Sequence, residues 1–365
     1  MNEQNTAQKI AVVLFNLGGP DSLDAVKPFL FNLFNDKAII SLPQPLRWFL
    51  AKLISTRRTP VAQKIYNEIG GRSPIVELTN AQSAALEKVL QNTLDAAETK
   101  VFVAMRYWRP FANETAVEVK NFNPDKIILL PLYPQYSTTT SASSIAEWKK
   151  VAHRAGIKAE TKTICCWPVD PGFITAQAKL LVDAISQVLA STPDSFVEVL
   201  FSAHGLPKRT VERTGDPYPE QVIRGAEAIV SALYKIKPEY KNKFSWQVSY
   251  QSRVGPLEWI GPATEDEIKL AGQRKASLVV LPIAFVSEHS ETLVELDIEY
   301  REVAIKAGVK NYIRVPAVGT QPDFINGLGG LVAAALQSPC NPMPGSGCNK
   351  PCEDKTGACP HAISG

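Results

Sequence analysis

The stretch that decides the fold is SLVVLPIAFVSEHSETLVELDIEY, residues 277–300. It opens with a short apolar run, Leu278–Phe285, whose length and β-branched content predict a buried strand. The chain then turns polar at Ser287, and a helix is predicted from Glu291 onwards. On a helix that turns about 100° per residue, five glutamates fall within an arc of roughly 80°: Glu288, Glu291, Glu295, Glu299 and Glu302.

This acidic ladder allows two interpretations. Like charges at three- or four-residue spacing destabilise a helix by roughly 0.2–0.5 kcal/mol per pair. The ladder could still be a solvated face beside a surface histidine, His289. Alternatively, carboxylates beside a histidine, just past a buried strand, are suited to handling protons or a metal ion.

Composition limits the possible classes of protein. The chain has 365 residues, enough for two domains, and its 45% hydrophobic and 21% charged content is typical of globular proteins. A net charge of +3 gives no argument for nucleic-acid binding. The polar start, MNEQNTAQK, lacks the apolar core of a signal peptide, and no run is expected to span a membrane. We therefore expect a cytoplasmic protein.

Strand and helix patterns alternate along the chain and predict an α/β fold with parallel sheets. Strands are predicted at Lys9–Leu17, Val101–Met105, Lys126–Leu132, Val197–Phe201, Phe244–Ser249 and Leu278–Phe285. The two halves also match in letters, since LFNLGGP at 14–20 corresponds to LFSAHGLP at 200–207. We interpret this as an internal duplication of one open α/β unit.

Ligands of such sheets bind beyond the carboxyl ends of the strands. The polar residues predicted at these ends are Arg106, Tyr107 and Tyr136 in the first unit and His204, Glu288, His289 and Glu291 in the second. A histidine that faces a carboxylate across a cleft is a hypothesis for an active site. No H-E-x-x-H zinc motif, G-x-S-x-G elbow or Walker lysine is present. The remaining pattern suits a large, flat, apolar substrate that loses protons while a divalent metal is delivered.

An unusual apolar segment, LPQPLRWFLAKLI, occupies residues 42–54. It is either a buried helix with a proline-rich entry or an exposed lip for a greasy ligand or a membrane surface. The following RRTP, residues 57–60, predicts a loop.

Eight motifs, in order, resemble the ferrochelatase family. They are FNLGGP (15–20), RRTP (57–60), GGRSPI (70–75), MRYW (105–108), LYPQYS (132–137), SAHGLP (202–207), YQSRVGP (250–256) and EHSETLVELDIEY (288–300). The resemblance implies insertion of Fe2+ into protoporphyrin IX, the last step of haem synthesis. It also implies two similar Rossmann-like domains, at 9–160 and 161–322, with the active-site cleft between them. A helix at 323–338 is expected to pack back on the first domain, ahead of a cysteine-rich tail at 339–365.

The resemblance also implies roles for individual residues. His204 would be the proton acceptor or metal contact, with the Glu291 carboxylate opposite it. A proton or metal relay would consist of Glu288, His289, Glu295 and Glu299. The porphyrin would contact Leu17, Arg106, Tyr107, Tyr136 and Trp259, although some family members have Met or Tyr at the position of Leu17.

Four of the six cysteines lie in the tail, at Cys340, Cys348, Cys352 and Cys359. Four thiolates suit Zn2+ or an iron–sulfur cluster equally well by number. The resemblance favours a [2Fe–2S] cluster, because some ferrochelatases hold one largely through C-terminal cysteines. Cys165 and Cys166 are expected in the core, and His361 in solvent.

The expected partners are protoporphyrin IX, Fe2+ and, peripherally, the surface of the inner membrane, for a monomer or homodimer that binds no nucleic acid. Two alternatives remain open. One is a related chelatase that acts on coproporphyrin or inserts another metal such as cobalt. The other is a non-catalytic porphyrin- or haem-binding iron–sulfur sensor.

Overall fold

The structure is a computed structural model that describes residues 8–94, 97–193, 195–253, 255 and 257–345. Its strands are β1 Gln8–Asn16, β2 Ala97–Met105, β3 Lys126–Pro131, β4 Glu160–Cys166, β5 Val197–His204, β6 Phe244–Gln251, β7 Ser277–Pro282, β8 Tyr312–Arg314 and β9 Met343–Pro344. Its α-helices are α1 Val26–Phe34, α2 Gln44–Asn67, α3 Ile75–Thr93, α4 Ala112–Phe122, α5 Ser141–Ala155, α6 Pro171–Ser191, α7 Lys208–Thr214, α8 Tyr218–Ile236, α9 Thr264–Gln273, α10 Tyr300–Ala307 and α11 Pro322–Gln337. A π-helix covers Glu291–Glu299.

The strands form two parallel sheets of matching topology. The first has the order β2-β1-β3-β4-β9, and the second has the order β6-β5-β7-β8. Apart from β9, each strand of the first sheet has a counterpart at the same place in the second. The predicted duplication of a parallel α/β unit is therefore confirmed.

Alternate residues of each sheet face different cores. Ile10, Val12 and Leu14 of β1 contact the largest core, whereas Ala11 and Val13 contact a second core beneath α4 and α5. The largest core also takes in α6, α8 and α11 and one face of the second sheet. The outer face of the second sheet packs against α9 and α10. Each sheet is thus covered on both faces, as parallel sheets require.

The boundary between the two units differs from the expected residue 160. Strand β4, at Glu160–Cys166, pairs with β3 in the first sheet. Helix α11 packs against α3 and β4 of the first unit, and also against α6. The close approach of α11 to α6 depends on glycines, because a Cβ at Gly327 would lie 2.3 Å from a carboxylate oxygen of Asp170.

Two sequence expectations are wrong. Helix α2 runs through residues 57–60, where a loop was predicted, with Pro60 inside it. Proline removes one backbone donor, but Thr56, whose carbonyl loses that donor, is exposed and can bind water instead. The expectation of no membrane-spanning run also fails by length and hydropathy alone, since α6 has both. More than half of its most apolar window is buried inside the protein, as in a core helix.

The two units are joined by a buried amide. Gln82 of α3 is fully buried, and its Nε2 donates to the carbonyl oxygens of Val286 (2.8 Å) and Gly319 (2.9 Å). Its Oε1 accepts from the hydroxyl of Ser287 at 3.0 Å. All three partners belong to the second unit, so Gln82 satisfies its hydrogen-bonding capacity across the interface.

Candidate active site

The site centres on His204 and Glu291. His204 is the last residue of β5, and Glu291 is the first residue of the π-helix. Nδ1 of His204 lies 2.8 Å from Oε2 of Glu291. An ionised carboxylate only accepts hydrogen bonds, so in the neutral imidazole Nδ1 carries the hydrogen and Nε2 keeps its lone pair. The side chain of His204 is 41% exposed, which leaves it accessible from the cleft.

Residues at the end of the neighbouring strand hold the carboxylates. Gln251 is paired with His204 in the register of β6 and β5. Its Nε2 lies 3.4 Å from carboxylate oxygens of both Glu291 and Glu295. Ser252 donates its backbone N–H to Glu295 at 2.8 Å, and its hydroxyl lies 2.5 Å from Glu295 and 3.3 Å from Glu291. One hydroxyl therefore connects two carboxylates.

Ser252 adopts a backbone conformation that is unfavourable for its residue type. Its φ is +60°, in the left-handed region that L-residues other than Asn and Asp seldom occupy. Such strain persists only where surrounding contacts over-determine it, and it is concentrated at functional sites. Here the contacts are the hydrogen bonds from Ser252 to Glu295 and Glu291.

The pKa values of the three groups move in different directions. The low polarity around His204 lowers its pKa, but the charge and hydrogen bond of Glu291 outweigh this effect and leave the pKa raised. Burial raises the pKa of Glu291, yet the charge and hydrogen bond of His204 bring it down to about 2. The pKa of Glu295 is raised by burial and by the Glu291 charge, against hydrogen bonds from Ser252. Neighbouring carboxylates thus differ in proton affinity.

The carboxylate ladder lies on a π-helix, whereas an α-helix was predicted. A π-helix closes i→i+5 hydrogen bonds and so holds more residues per turn than an α-helix. Positions four apart consequently lie closer to one line. The ladder runs from the half-buried Glu291 and Glu295 to the exposed Glu299. Tyr300 donates its hydroxyl to Glu295 at 3.1 Å.

His289 lies beside the central pair, and Glu288 is held elsewhere. The imidazole of His289 is buried, with Nε2 3.9 Å from Glu291 and Nδ1 donating to the carbonyl oxygen of Ser287 at 3.2 Å. Oε1 of Glu288 accepts from Arg314 at 2.7 Å and from the backbone N–H of Ala317 at 3.0 Å. Within the described part of the chain, these hydrogen bonds connect Glu288 to Arg314 and Ala317 and not to His204 or Glu291.

The residues predicted to contact porphyrin in the first unit follow the ends of β1, β2 and β3. Arg106 forms an ion pair with Asp36 at 2.7 Å, and Ser143 accepts from its Nε. Tyr107 is only 2% exposed, and its hydroxyl donates to Asp36. Asp36 therefore orients both Arg106 and Tyr107, although no pattern in the sequence singled it out.

The remaining predicted contacts are also in the interface region. Leu17 is partly buried against the cluster that contains Tyr107, and Tyr136 is buried, with its backbone N–H donating to Gln221 at 2.7 Å. Trp259 is half-buried, and a Cβ at Gly205 would lie 3.3 Å from its ring. The two units meet here, because Tyr136 belongs to the first and Gln221 to the second.

Helix α2 reaches the same cleft from the first unit. The hydroxyl of Ser290 lies 3.5 Å from that of Tyr66, next to Glu291. A cavity of about 70 Å³ beside Arg106 is too small for a large ligand, which needs about 300–1,000 Å³.

The predicted tail ligands lie almost wholly outside the described residues. Cys348, Cys352 and Cys359 are not among them, whereas Cys340 packs on the main core and takes part in a disulfide. Cys165 and Cys166 are buried, as predicted. Over the part of the chain that the structure covers, no group of three or more His, Cys, Asp or Glu side chains is arranged to hold a metal ion.

Comparison with known proteins identifies the family. The family model described as Ferrochelatase matches residues 9–336. The chain belongs to the ferrochelatase family. The ferrochelatase of Pelagibacter ubique (strain HTCC1062) is 53% identical over 324 residues, covering 89% of this chain and 90% of its own. That of Caulobacter vibrioides (strain NA1000 / CB15N) is 47% identical over 356 residues, covering 97% of each.

The ferrochelatase of Phenylobacterium zucineum (strain HLK1) is 52% identical over 328 residues, covering 90% of this chain and 91% of its own. Among solved structures, SirB of Bacillus subtilis, determined with Fe3+, covers 90% of this chain and 95% of its own at 12% identity and a TM-score of 0.50. This likeness concerns the fold alone. As a ferrochelatase-family enzyme, the chain is a metal chelatase that inserts iron into a porphyrin.

Several residues of the site were not predicted from the sequence. Asp36, Gln251 and Ser252 hold the groups discussed above, and Arg314 holds Glu288. Gln251 and Ser252 lie in a motif that supported the family resemblance, and their place at a strand end was the one available indication. Asp36 and Arg314 lie outside the motifs.

Proposed function

We propose that the enzyme inserts Fe2+ into protoporphyrin IX and releases two protons, with His204 as the proton acceptor. The observation that carries this proposal is the hydrogen bond between Glu291 and a partly exposed His204. It fixes the hydrogen on Nδ1 and leaves the Nε2 lone pair for the substrate. At a pH above its raised pKa the imidazole is neutral, and in this tautomer it can accept a pyrrole proton.

The proton balance assigns roles to the ladder. A porphyrin that accepts Fe2+ loses two N–H protons, and each N–H bond breaks as a nitrogen–iron bond forms. The first proton passes to Nε2 of His204. The resulting imidazolium is stabilised by Glu291, whose pKa of about 2 keeps it ionised. Glu295, whose pKa is raised, can then take up a proton and pass it toward the exposed Glu299.

The same carboxylates provide negative potential for the incoming Fe2+. Glu291 and His204 are the pair of groups suited to contact the metal as it is handed over, since carboxylate and imidazole are ordinary ligands of Fe2+. The cleft would bind the macrocycle in a bent form, so that binding energy from its periphery is spent on distortion. Leu17, Arg106, Tyr136 and Trp259 are the proposed contacts of that periphery, with Tyr107 supporting Arg106.

We further propose that α2 rests on the surface of the inner membrane, on its cytoplasmic side. Helix α2 exposes a run of apolar side chains, including Leu46 (60% exposed), Phe49 (66%) and Leu53 (47%). Trp48 packs edge-on against Phe49, and Lys52 lies over the ring of Trp48. An exposed apolar face next to a lysine suits the boundary between headgroups and acyl chains. The same apolar face is expected to favour protoporphyrin as substrate over coproporphyrin, because protoporphyrin is the more apolar of the two.

For the tail we propose a [2Fe–2S] cluster held by Cys340, Cys348, Cys352 and Cys359, with Zn2+ as the alternative occupant. The support is the number of thiols in a segment rich in Gly and Pro, since binding of a metal can supply the folding free energy of such a segment. Cys340 can serve only as a reduced thiol, because a sulfur in a disulfide does not bind iron. When bound, such a cluster would supply structural order and a one-electron redox centre.

One cuvette tests both parts of the proposal. Protein purified without oxygen is examined by ultraviolet–visible absorption, and protoporphyrin IX and Fe2+ are then added. Brown protein that converts the porphyrin bands into those of haem would support the proposal. Colourless protein that still makes haem would point to zinc or a lost cluster. Coloured protein that binds porphyrin without metallating it would make this chain a sensor, and a preference for coproporphyrin or Co2+ would favour the related chelatases.

A further inference from the structure

The π-helix that carries Glu291 and Glu295 needs support from outside itself. It extends over nine residues, Glu291–Glu299, whereas most π-helical segments are single turns within α-helices. It continues directly into α10 at Tyr300. A sequence of this kind has an alternative, the ordinary α-helix, in which the same side chains would lie at different angles. Some contact must therefore favour the wider helix.

Arg314 makes contacts that fit this requirement. It ends β8 and its side chain is only 9% exposed. Its Nη1 donates to Glu288 at 2.7 Å, just before the π-helix, and its Nε donates to Asp297 at 3.2 Å, near the end of the π-helix. One rigid guanidinium thus fixes two points on either side of Glu291 and Glu295. The planar fork of arginine can impose this geometry, whereas a lysine would keep the charge without the fixed fork.

The neighbours of Arg314 act on the same stretch of backbone. Tyr312, two residues earlier on β8, donates its hydroxyl to the carbonyl oxygen of Leu296. Arg301 of α10 donates to Asp297 at 2.5 Å and to the carbonyl oxygen of Tyr312 at 2.9 Å. We call Arg314, Tyr312, Glu288 and Asp297 the brace. It joins the π-helix and the residue three positions before it to β8, the edge strand of the second sheet.

We infer that Arg314 is a positioning residue, which holds the segment 291–299 in its π-helical form and thereby keeps Glu291 at His204 and Glu295 at Ser252. The inference deepens the proposed function, because it concerns the same two carboxylates. It assigns Glu288 a structural role instead of the predicted role in the proton or metal relay, because Oε1 of Glu288 accepts a hydrogen bond from Arg314. It also accounts for the partly buried ion pair between Arg314 and Glu288.

The test compares two arginine variants. Arg314→Gln breaks the brace, whereas Arg274→Gln breaks another ion pair of the same sheet, in which Arg274 donates twice to Glu198 at 2.6 Å. Glu198 lies six residues before His204 on β5, at roughly 20 Å along the strand. Arg274→Gln is therefore a control for loss of an ion pair remote from the site.

Amide hydrogen exchange and steady-state kinetics are measured on both variants of the full chain. For Arg314→Gln we expect exchange at 291–299 to accelerate about tenfold or more. We also expect kcat/KM for Fe2+ to fall about 100-fold, because a displacement of about 1 Å at reacting groups has that effect. Porphyrin affinity, followed by fluorescence quenching, should change less than about twofold. Arg314→Lys should be intermediate, and Arg274→Gln should match the wild type in exchange at 291–299 and in kcat/KM.

Wild-type exchange and wild-type kcat/KM in folded Arg314→Gln would overturn the inference. If that variant does not fold, Tyr312→Phe and Asp297→Asn replace it, since each removes one contact of the brace. Faster exchange at 291–299 in both would support the inference, and unchanged exchange in both would overturn it. Failure of the proposed function is distinct: wild-type protein would then not metallate porphyrin, while the exchange experiment would still report on the brace.

Discussion

Nδ1 of His204 lies 2.8 Å from Oε2 of Glu291, although 87 positions separate the two residues. The sheet brings them together, because β5 and β7 are parallel neighbours and the chain runs on from β7 into the π-helix. The carboxyl ends of adjacent parallel strands share one edge, so residues that follow them meet there. The hydrogen bond fixes the tautomer of the imidazole on which the proposed reaction depends.

Replacing either member of this pair should stop the reaction without unfolding the protein. His204→Ala removes the proton acceptor, and Glu291→Gln removes the charge that stabilises the imidazolium. Each is expected to lower kcat by about 100- to 10,000-fold, the usual range for a general base. Initial rates of haem formation measure the loss, and porphyrin fluorescence quenching and circular dichroism serve as controls. Turnover near the wild-type rate in His204→Ala would contradict the assignment.

The pair should also leave a mark on the pH dependence of stability. The pKa of Glu291 is depressed from its usual 4.5 to about 2, so its stabilising contribution is complete above 4.5 and is lost as pH falls toward 2. The pKa of His204 is raised above 6.5, so its contribution is complete below 6.5 and is lost as pH rises through the raised value. Both contributions are present between those limits.

We therefore expect the Tm difference between wild type and Glu291→Gln to be largest at about pH 5.5, and smaller at about pH 3 and pH 9. Thermal unfolding followed by circular dichroism in matched ionic strength measures it. A difference that grows steadily from pH 5.5 to pH 9 would show that the two groups are not coupled in this way.

Ser252→Ala should change the pH dependence of activity. The hydroxyl of Ser252 lowers the pKa of both Glu291 and Glu295. Without it, both carboxylates should bind protons more tightly, and the acidic limb of the pH–rate profile should move to higher pH. Ser252→Gly, which removes the hydroxyl and relieves the positive φ, should show the same shift with less loss of stability. Ser249→Ala, at a buried serine that accepts from Thr264, is the matched control. If the acidic limb moved equally far in Ser249→Ala, the shift could not be attributed to the hydroxyl of Ser252.

A charge on the exposed face of α2 should weaken membrane binding. Phe49→Glu is expected to reduce co-sedimentation with vesicles that contain anionic lipid by about tenfold, because it buries a carboxylate in the headgroup region. Ile305→Glu replaces an equally exposed side chain, 68% against 66% for Phe49, on a helix of the other unit. Activity with detergent-solubilised porphyrin should be kept in both. Equal vesicle binding by the two variants would place the membrane contact elsewhere.

The colour of the protein should depend on the tail cysteines alone. Cys340→Ser should abolish the visible absorption of anaerobically purified protein and its iron and sulfide content. Cys165→Ser and Cys166→Ser, at buried positions that were predicted to be structural, should keep both. Zinc instead of iron in the wild type, measured by elemental analysis, would select the alternative metal. Loss of colour in Cys166→Ser would indicate that Cys166 also binds the cluster.

The sequence predicted the main strands and the meeting of His204 with Glu291, because buried parallel strands are continuous apolar runs and their ends share an edge. It did not predict the π-helix. The spacing of the glutamates is compatible with an α-helix, and what favours the wider form lies in β8, a three-residue strand that was not predicted at all. Arg314 was missed for the same reason.

Three other features of the structure also differ from the predictions or were missed by them. Pro60 was taken as a helix breaker, but an exposed helix can lose one internal hydrogen bond to water. No sequence pattern indicated a role for Asp36. Its partners Arg106 and Tyr107 lie about 70 positions away in the sequence and contact it only in the folded chain. Helix α6 has the length and hydropathy of a membrane span because many of its side chains are buried in the largest core, which selects apolar residues.

Gln82 limits how the cleft can open. All of its amide hydrogen bonds cross between the units, and hinge motion at this point would leave a buried donor or acceptor unsatisfied, at a cost of about 1–3 kcal/mol for each group. Separation of the two units at this point is therefore disfavoured. We expect the surface helices α1 and α2, rather than the two sheets, to move when a porphyrin enters; a disulfide that ties α2 to the π-helix should then slow product release, whereas one between the two sheets should leave turnover unchanged.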